Sequence, residues 1–114
     1  MTTMNTNLQT LQKALVLQHE ALFARLSTAT SVDEANAIST EMDEVYLRIR
    51  VTTRLLFRQT TMAIDKHIAD VVAVSAELQQ SIKTITKLTD LIKKTSKFLG
   101  LVDKILDVVK LRIV

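Results

Sequence analysis

The 114 residues include 47% hydrophobic side chains, one glycine, and no proline, cysteine or tryptophan, which is enough apolar surface for one core and almost none of the residues that make turns. That composition excludes sandwiches, barrels and doubly wound sheets, and the missing cysteine excludes disulfides, thiolate metal sites and a cysteine nucleophile. The net charge of +3 is unevenly spread: residues 1–47 hold 2 bases against 6 acids and residues 48–114 hold 13 bases against 6, so one end of a chain attracts the other, within a molecule or between molecules.

Thr6 followed three residues later by Gln9 has the form of a capping box, and a first helix is predicted to begin there. Leu8, Leu11, Leu15, Leu22, Leu26 and Ala29 keep the three-and-four spacing of one apolar face. The run Ser27-Thr28-Ala29-Thr30-Ser31 then offers hydroxyls that compete with helical hydrogen bonds. The first helix therefore spans about 6–28, and Ser31 with Glu34 makes a second capping box that starts the next helix at Val32.

From Val32 to Leu99 no glycine and no common turn dipeptide interrupts the chain. One apolar series runs through Ala35, Ile38, Met42, Val45, Ile49, Thr52 and Leu56. A second runs through Ile64, Ile68, Val71, Ser75, Leu78, Ile82, Ile85, Thr89 and Ile92, a heptad seam of four repeats. The two are out of register near the polar tetrad Arg58-Gln59-Thr60-Thr61. An unbroken helix over 32–98 would be about 100 Å long against about 35 Å for the first helix, and would leave its seam to be covered by a second chain. A break near 58–61 lets the helices close on one another as a bundle. Gly100, preceded by Lys93, Lys94 and Lys97, has the signature of a helix C-terminus. A short amphipathic helix over about 101–112 then follows. The expected fold is one all-α domain: an antiparallel helical bundle or coiled coil of long helices, with a short amphipathic C-terminal helix.

The candidate sites follow from that pattern. No Glu-x-x-His or His-x-x-x-His pair, no phosphate-cradling glycine loop and no nucleophile motif occurs, so neither catalysis nor a cofactor, a metal or a small-molecule substrate is expected. His19 beside Glu20, and His67 between Asp65 and Asp70, read as surface histidines. The seam residues Ile64, Ile68, Val71, Leu78, Ile82, Ile85 and Ile92 are the candidate contact with a protein partner, or with a second copy if the long helix is unbroken. Arg50, Arg54 and Arg58, four apart with Arg48 nearby, make a basic stripe for anions. Its plainer role is a solvated face meeting the acids of a neighbouring helix, and with only Tyr46 and Phe57 beside it nucleic acid is disfavoured. Phe98, Leu101, Val102, Ile105, Leu106 and Val109 form a wide apolar arc edged by Lys104, Lys110 and Arg112. They suit either a cap on the bundle or contact with a membrane surface. The amino-terminal segment has no basic region ahead of an apolar run, and the longest uncharged apolar stretch, Val71 to Ala76, is too short to span a bilayer. A cytoplasmic protein-interaction module is therefore the expected function, by way of an adaptor, chaperone-like or assembly role.

Overall fold

The computed structural model describes residues 5–56 and 64–111, and folds them into α1 (Thr6–Leu26), α2 (Val32–Leu55), α3 (Asp65–Ile82) and α4 (Leu88–Leu111). No strand occurs among the described residues. α1 is capped by Asn5 and not by Thr6: the Asn5 side chain accepts from the amides of Asn7 and Leu8. Ser31 caps α2 as its sequence indicates, its hydroxyl accepting from the Glu34 amide at 3.1 Å. The Glu34 carboxylate turns to Thr30, accepting from its amide and its hydroxyl.

Directions follow from the contacts. Gln12 donates to Thr53 at 2.7 Å and the Asn5 amide to the Leu56 carbonyl at 2.6 Å, while Arg25 meets Glu34 at the other end; α1 and α2 are antiparallel. Gln18 donates to Ser75, and Arg25, seven residues on, donates to the carbonyl of Ile82, seven residues on from Ser75. α1 and α3 are thus parallel. α4 returns antiparallel to α3 through the connection Lys83–Lys87, where Lys94 reaches Ser81. α2 and α4 then run the same way. Each helix packs on two neighbours, giving the cyclic order α1, α2, α4, α3, within an envelope of 49 × 22 × 20 Å. The molecule is two helical hairpins laid side by side with like-directed helices in contact.

Leu8, Leu11, Leu15 and Leu22 of α1, Ile38 and Val45 of α2, Ile64, Val71 and Ile82 of α3, and Leu91, Phe98, Val102 and Ile105 of α4 fill the space between the four helices. A buried side chain of this size contributes about 2 kcal/mol by leaving water. The buried hydroxyls of Thr52 and Thr95 donate to carbonyls one turn back, those of Arg48 and Leu91, which satisfies them without leaving the helix.

Two features of the long helical region differ from expectation. The seam does not continue straight from Ile82 to Ile92, because the chain reverses at Lys83–Lys87. Beyond Ile85 the packed positions are Leu88, Leu91, Thr95, Phe98, Val102, Ile105 and Val109, one residue earlier than the heptad projects, and this moves Ile92 outward to 37% exposure. Gly100 ends no helix: it lies inside α4 on an exposed face, without positive φ. Consequently 101–111 is the second half of a 24-residue helix packed along the core, not a separate short helix or an end cap. The tetrad 58–61, where a break was expected, lies outside the described residues; the helices on either side end at Leu55 and begin at Asp65.

Candidate interaction surface

Most of the seam faces inward. Ile64, Ile68, Val71, Leu78 and Ile82 are buried, and Ile85 is partly buried against the same core. The C-terminal arc is equally committed: Phe98, Val102, Ile105, Leu106 and Val109 are buried and Leu101 is partly buried. These side chains hold the chain's own helices together, so neither a partner nor a membrane reaches them without opening the fold. Among the described residues no helix is long and apolar enough to cross a membrane.

The arginines divide by role. Arg48 clasps α2 to α4: its Nε donates to Asp103 Oδ1 at 2.8 Å and its Nη2 to Oδ2 at 2.9 Å, while Nη1 meets Glu44. The two bonds to Asp103 hold the guanidinium above its ordinary pKa, against the opposing effect of burial. Arg25 joins the opposite end, with Nη2 donating to the Ile85 carbonyl at 2.6 Å and lying 3.3 Å from Glu34. It ties the ends of α1 and α3 to the start of α2. Arg50 and Arg54 are exposed and take part in none of the three ion pairs of the described residues; Arg58 lies outside the described residues.

Besides Val32, Val72 and Ile92, the large apolar side chains exposed among the described residues lie on the outer part of the α1–α2 hairpin. Phe23 is 62% exposed, Tyr46 52%, Leu47 53% and Val16 38%. His19 tilts against Tyr46 with ring centroids 6.2 Å apart, bridging the two helices. Spacing explains the arrangement. Lys13, Val16, Glu20 and Phe23 step by three, four and three along α1, and Asp43, Tyr46, Arg50 and Arg54 step by three, four and four along α2, so each set forms one stripe. Gln12 lies level with Thr53 and His19 with Tyr46. In that register the bases Lys13, Arg50 and Arg54 gather toward the start of α1, the acids Glu20 and Asp43 toward its end, and the apolar side chains between and beside them. Sequence reasoning had Tyr46 and the arginines but missed Phe23, which falls outside the apolar series of its helix and carries no signal beyond that.

Other features carry less chemistry. A cleft of about 360 Å³ between α1 and α3 is bordered by Lys13, Leu17, Val72, Ser75, Ala76 and Gln79, and Lys13 is the only titratable group among its lining residues, so it holds no acid–base pair. No group of three or more histidine, aspartate or glutamate side chains placed to hold a metal occurs among the described residues. His67 is exposed. Among the residues whose burial is described, Glu41 is the one buried carboxylate: burial, and behind it the charge of Glu44, push its pKa up, while Arg48 pulls the other way. Comparison of the chain with models of protein families, with curated proteins and with solved structures finds no match.

Proposed function

We propose that this chain is a non-enzymatic protein-interaction module that binds through the outer face of the α1–α2 hairpin. The observation that carries this reading is the contrast between two apolar sets. The seam from Ile64 to Ile82 is used up inside the fold, while Val16, Phe23, Tyr46 and Leu47 remain exposed beside one another on two adjacent helices. Aromatic anchors ringed by charge are the usual makings of a contact surface. Apolar burial would supply affinity, and the bases and acids at the two ends of the stripe would set orientation and steer encounter. An adaptor or assembly role fits a small bundle that presents such a face and gathers no metal-holding cluster among its described residues.

A photo-crosslinking side chain at position 23 tests this. In extract of the cells that make the protein it should give one discrete protein adduct, lost on Tyr46→Glu, while the same probe at the exposed position 69 on α3 gives none. Equal labelling from both positions, or no adduct from position 23, overturns the reading.

A further inference from the structure

We infer that the partner of this face is a second copy of the same chain, docked antiparallel about a two-fold axis. The inference rests on the interaction reading of the face and adds to it the identity of the occupant. The carrying observation is the order of charges along the two stripes. Reading from the start of α1 toward its end, the outer face presents Arg54, Lys13 and Arg50, then Tyr46 and Glu20, then Asp43 and Phe23. Basic residues occupy one half and acidic residues the other. A face of that kind is complementary to itself when turned end for end.

The match is quantitative in register. Place a two-fold axis across the hairpin, perpendicular to the helices, at the level midway between residues 16 and 17 of α1. The register that sets Gln12 beside Thr53 and His19 beside Tyr46 puts the same axis midway between residues 48 and 49 of α2. Turning one copy about it lays α1 on α1 of the second copy and α2 on α2. Lys13 then meets Glu20 of the second copy, and Asp43 meets Arg54. Each pair occurs twice, so one operation forms four ion pairs. Val16 lies almost on the axis, Leu47 and Tyr46 within about one turn of it, and Phe23 about 10 Å along. Val16, Leu47 and Tyr46 thus make a small apolar centre that Arg50 borders, the Lys13–Glu20 and Asp43–Arg54 pairs follow at about 5 and 8 Å from the axis, and Phe23 stands outside them at the edge of the contact.

The charged members of the face are free to do this. Within the described residues the ion pairs are those of Arg25 with Glu34, and of Arg48 with Glu44 and Asp103. Lys13, Glu20, Asp43, Arg50 and Arg54 are all exposed and take part in none of them. A parallel arrangement about an axis along the helices would lay α1 on α2 of the second copy at the same level, with Lys13 against the Arg50–Arg54 end and Glu20 against Asp43, basic on basic and acidic on acidic, which disfavours it. A head-to-tail contact would leave an unpaired end and would not close.

The test is the mass of the full-length chain in solution, by light scattering or sedimentation, across concentration and salt. The wild type should be a dimer that weakens as salt rises. Glu20→Lys with Asp43→Lys makes the face wholly basic, and Lys13→Glu with Arg54→Glu makes it acidic but for Arg50. All four positions are exposed, and each double variant should keep the helical circular dichroism and cooperative melting of the wild type. Each alone should self-associate about 100-fold more weakly, four surface ion pairs at their usual modest strength having been turned to repulsion. Mixed one to one, the two variants should form a heterodimer. A wild type that remains a single chain up to millimolar concentration overturns the second-copy proposal, leaving the adduct from position 23 to decide whether the face binds a different protein. A dimer that neither double variant weakens overturns the proposed face and geometry.

Discussion

Gln18 is the most informative single position in the core. It is fully buried between α1 and α3, with Nε2 donating to the Ser75 carbonyl at 2.7 Å and to the Ser75 hydroxyl at 3.0 Å, yet its Oε1 has no partner. Two buried hydrogen bonds contribute about 1 kcal/mol each, whereas an orphaned buried acceptor costs about 1–3 kcal/mol. Gln18→Leu removes both effects while filling much the same space, and Ser75 keeps the bond from Gln79 at 3.2 Å to its hydroxyl. The expected outcome is stability within about 1 kcal/mol of wild type, or above it. Gln18→Ala also leaves a cavity, and should cost about 2–3 kcal/mol, near 10 °C in Tm for a domain of this size. Urea and thermal unfolding monitored by circular dichroism measure both. Leucine destabilising as much as alanine would falsify the reasoning, since it would mean that the amide is fully satisfied and that its polar contacts outweigh apolar filling. The pair also bears on specificity: this buried polar contact, with Arg25 at the far end of the same interface, fixes the register of two parallel helices. The leucine variant should therefore trade register for stability, visible as broadened amide resonances along α3.

Gly100→Ala should stabilise the protein by about 1 kcal/mol, because the glycine lies in mid-helix without positive φ and an added Cβ meets nothing within 4 Å; a fall in Tm would show that the helix does not run through this position. Glu41→Gln tests the buried carboxylate. Its folded-state pKa lies above the ordinary value through burial and Glu44, so the native state binds its proton more tightly than the unfolded chain, and stability from this group is present at low pH and lost as pH rises through the folded pKa. The glutamine variant should thus be the more stable at neutral pH, with the advantage shrinking once wild-type Glu41 is protonated. An advantage that grows toward low pH would contradict the sign. Arg48→Met should destabilise by more than the loss of an exposed ion pair, since it unclasps Asp103 and leaves α2 and α4 without their bridging bonds; an unchanged urea midpoint would remove the clasp from the account.

Particular residues mark where sequence reasoning reached and where it stopped. Ser31 placed the start of α2 because capping is local chemistry, one hydroxyl accepting from an amide three residues on, although the Glu34 carboxylate turned to Thr30 and not to the Ser31 amide. The first helix was equally readable, although Asn5 took the capping role from Thr6. The seam from Ile64 to Ile82 was legible but its destination was not: the sequence pattern offered it to a partner, and it packs within the chain's own core, since periodicity shows that a face is buried but is silent on whether the covering helix belongs to the same chain. The reading slipped at Ile85, where two successive three-residue steps, to Leu88 and Leu91, rotate the packed face by one position, and the chain turns there through Lys83–Lys87 without glycine or proline. Gly100 misled for the converse reason. A glycine is permitted at a helix end and merely tolerated within one, and only the apolar run on both sides, Phe98 to Val109, distinguishes the cases. Gln18 was legible in principle, as the polar residue at the three-and-four position between Leu15 and Leu22. The hairpin face was not, since its charge order emerges only when Gln12 is set level with Thr53.

The sealing of the seam within one chain, with α1 and α3 running the same way, is the premise on which the free hairpin face depends. Pulsed electron spin resonance measures it directly, in a chain with no native cysteine to compete for the labels. Spin labels at the exposed positions 13 and 70 should lie close together across α1 and α3, and labels at 13 and 83, offset along the helices by about 20 Å, the rise of 13 helical residues, should be farther apart by about 10 Å, with neither distance changed by diluting the labelled protein in unlabelled chain. A shorter distance to 83 than to 70, or a short distance that vanishes on dilution, would contradict the account, the first by reversing α3 and the second by placing α3 against another molecule's core.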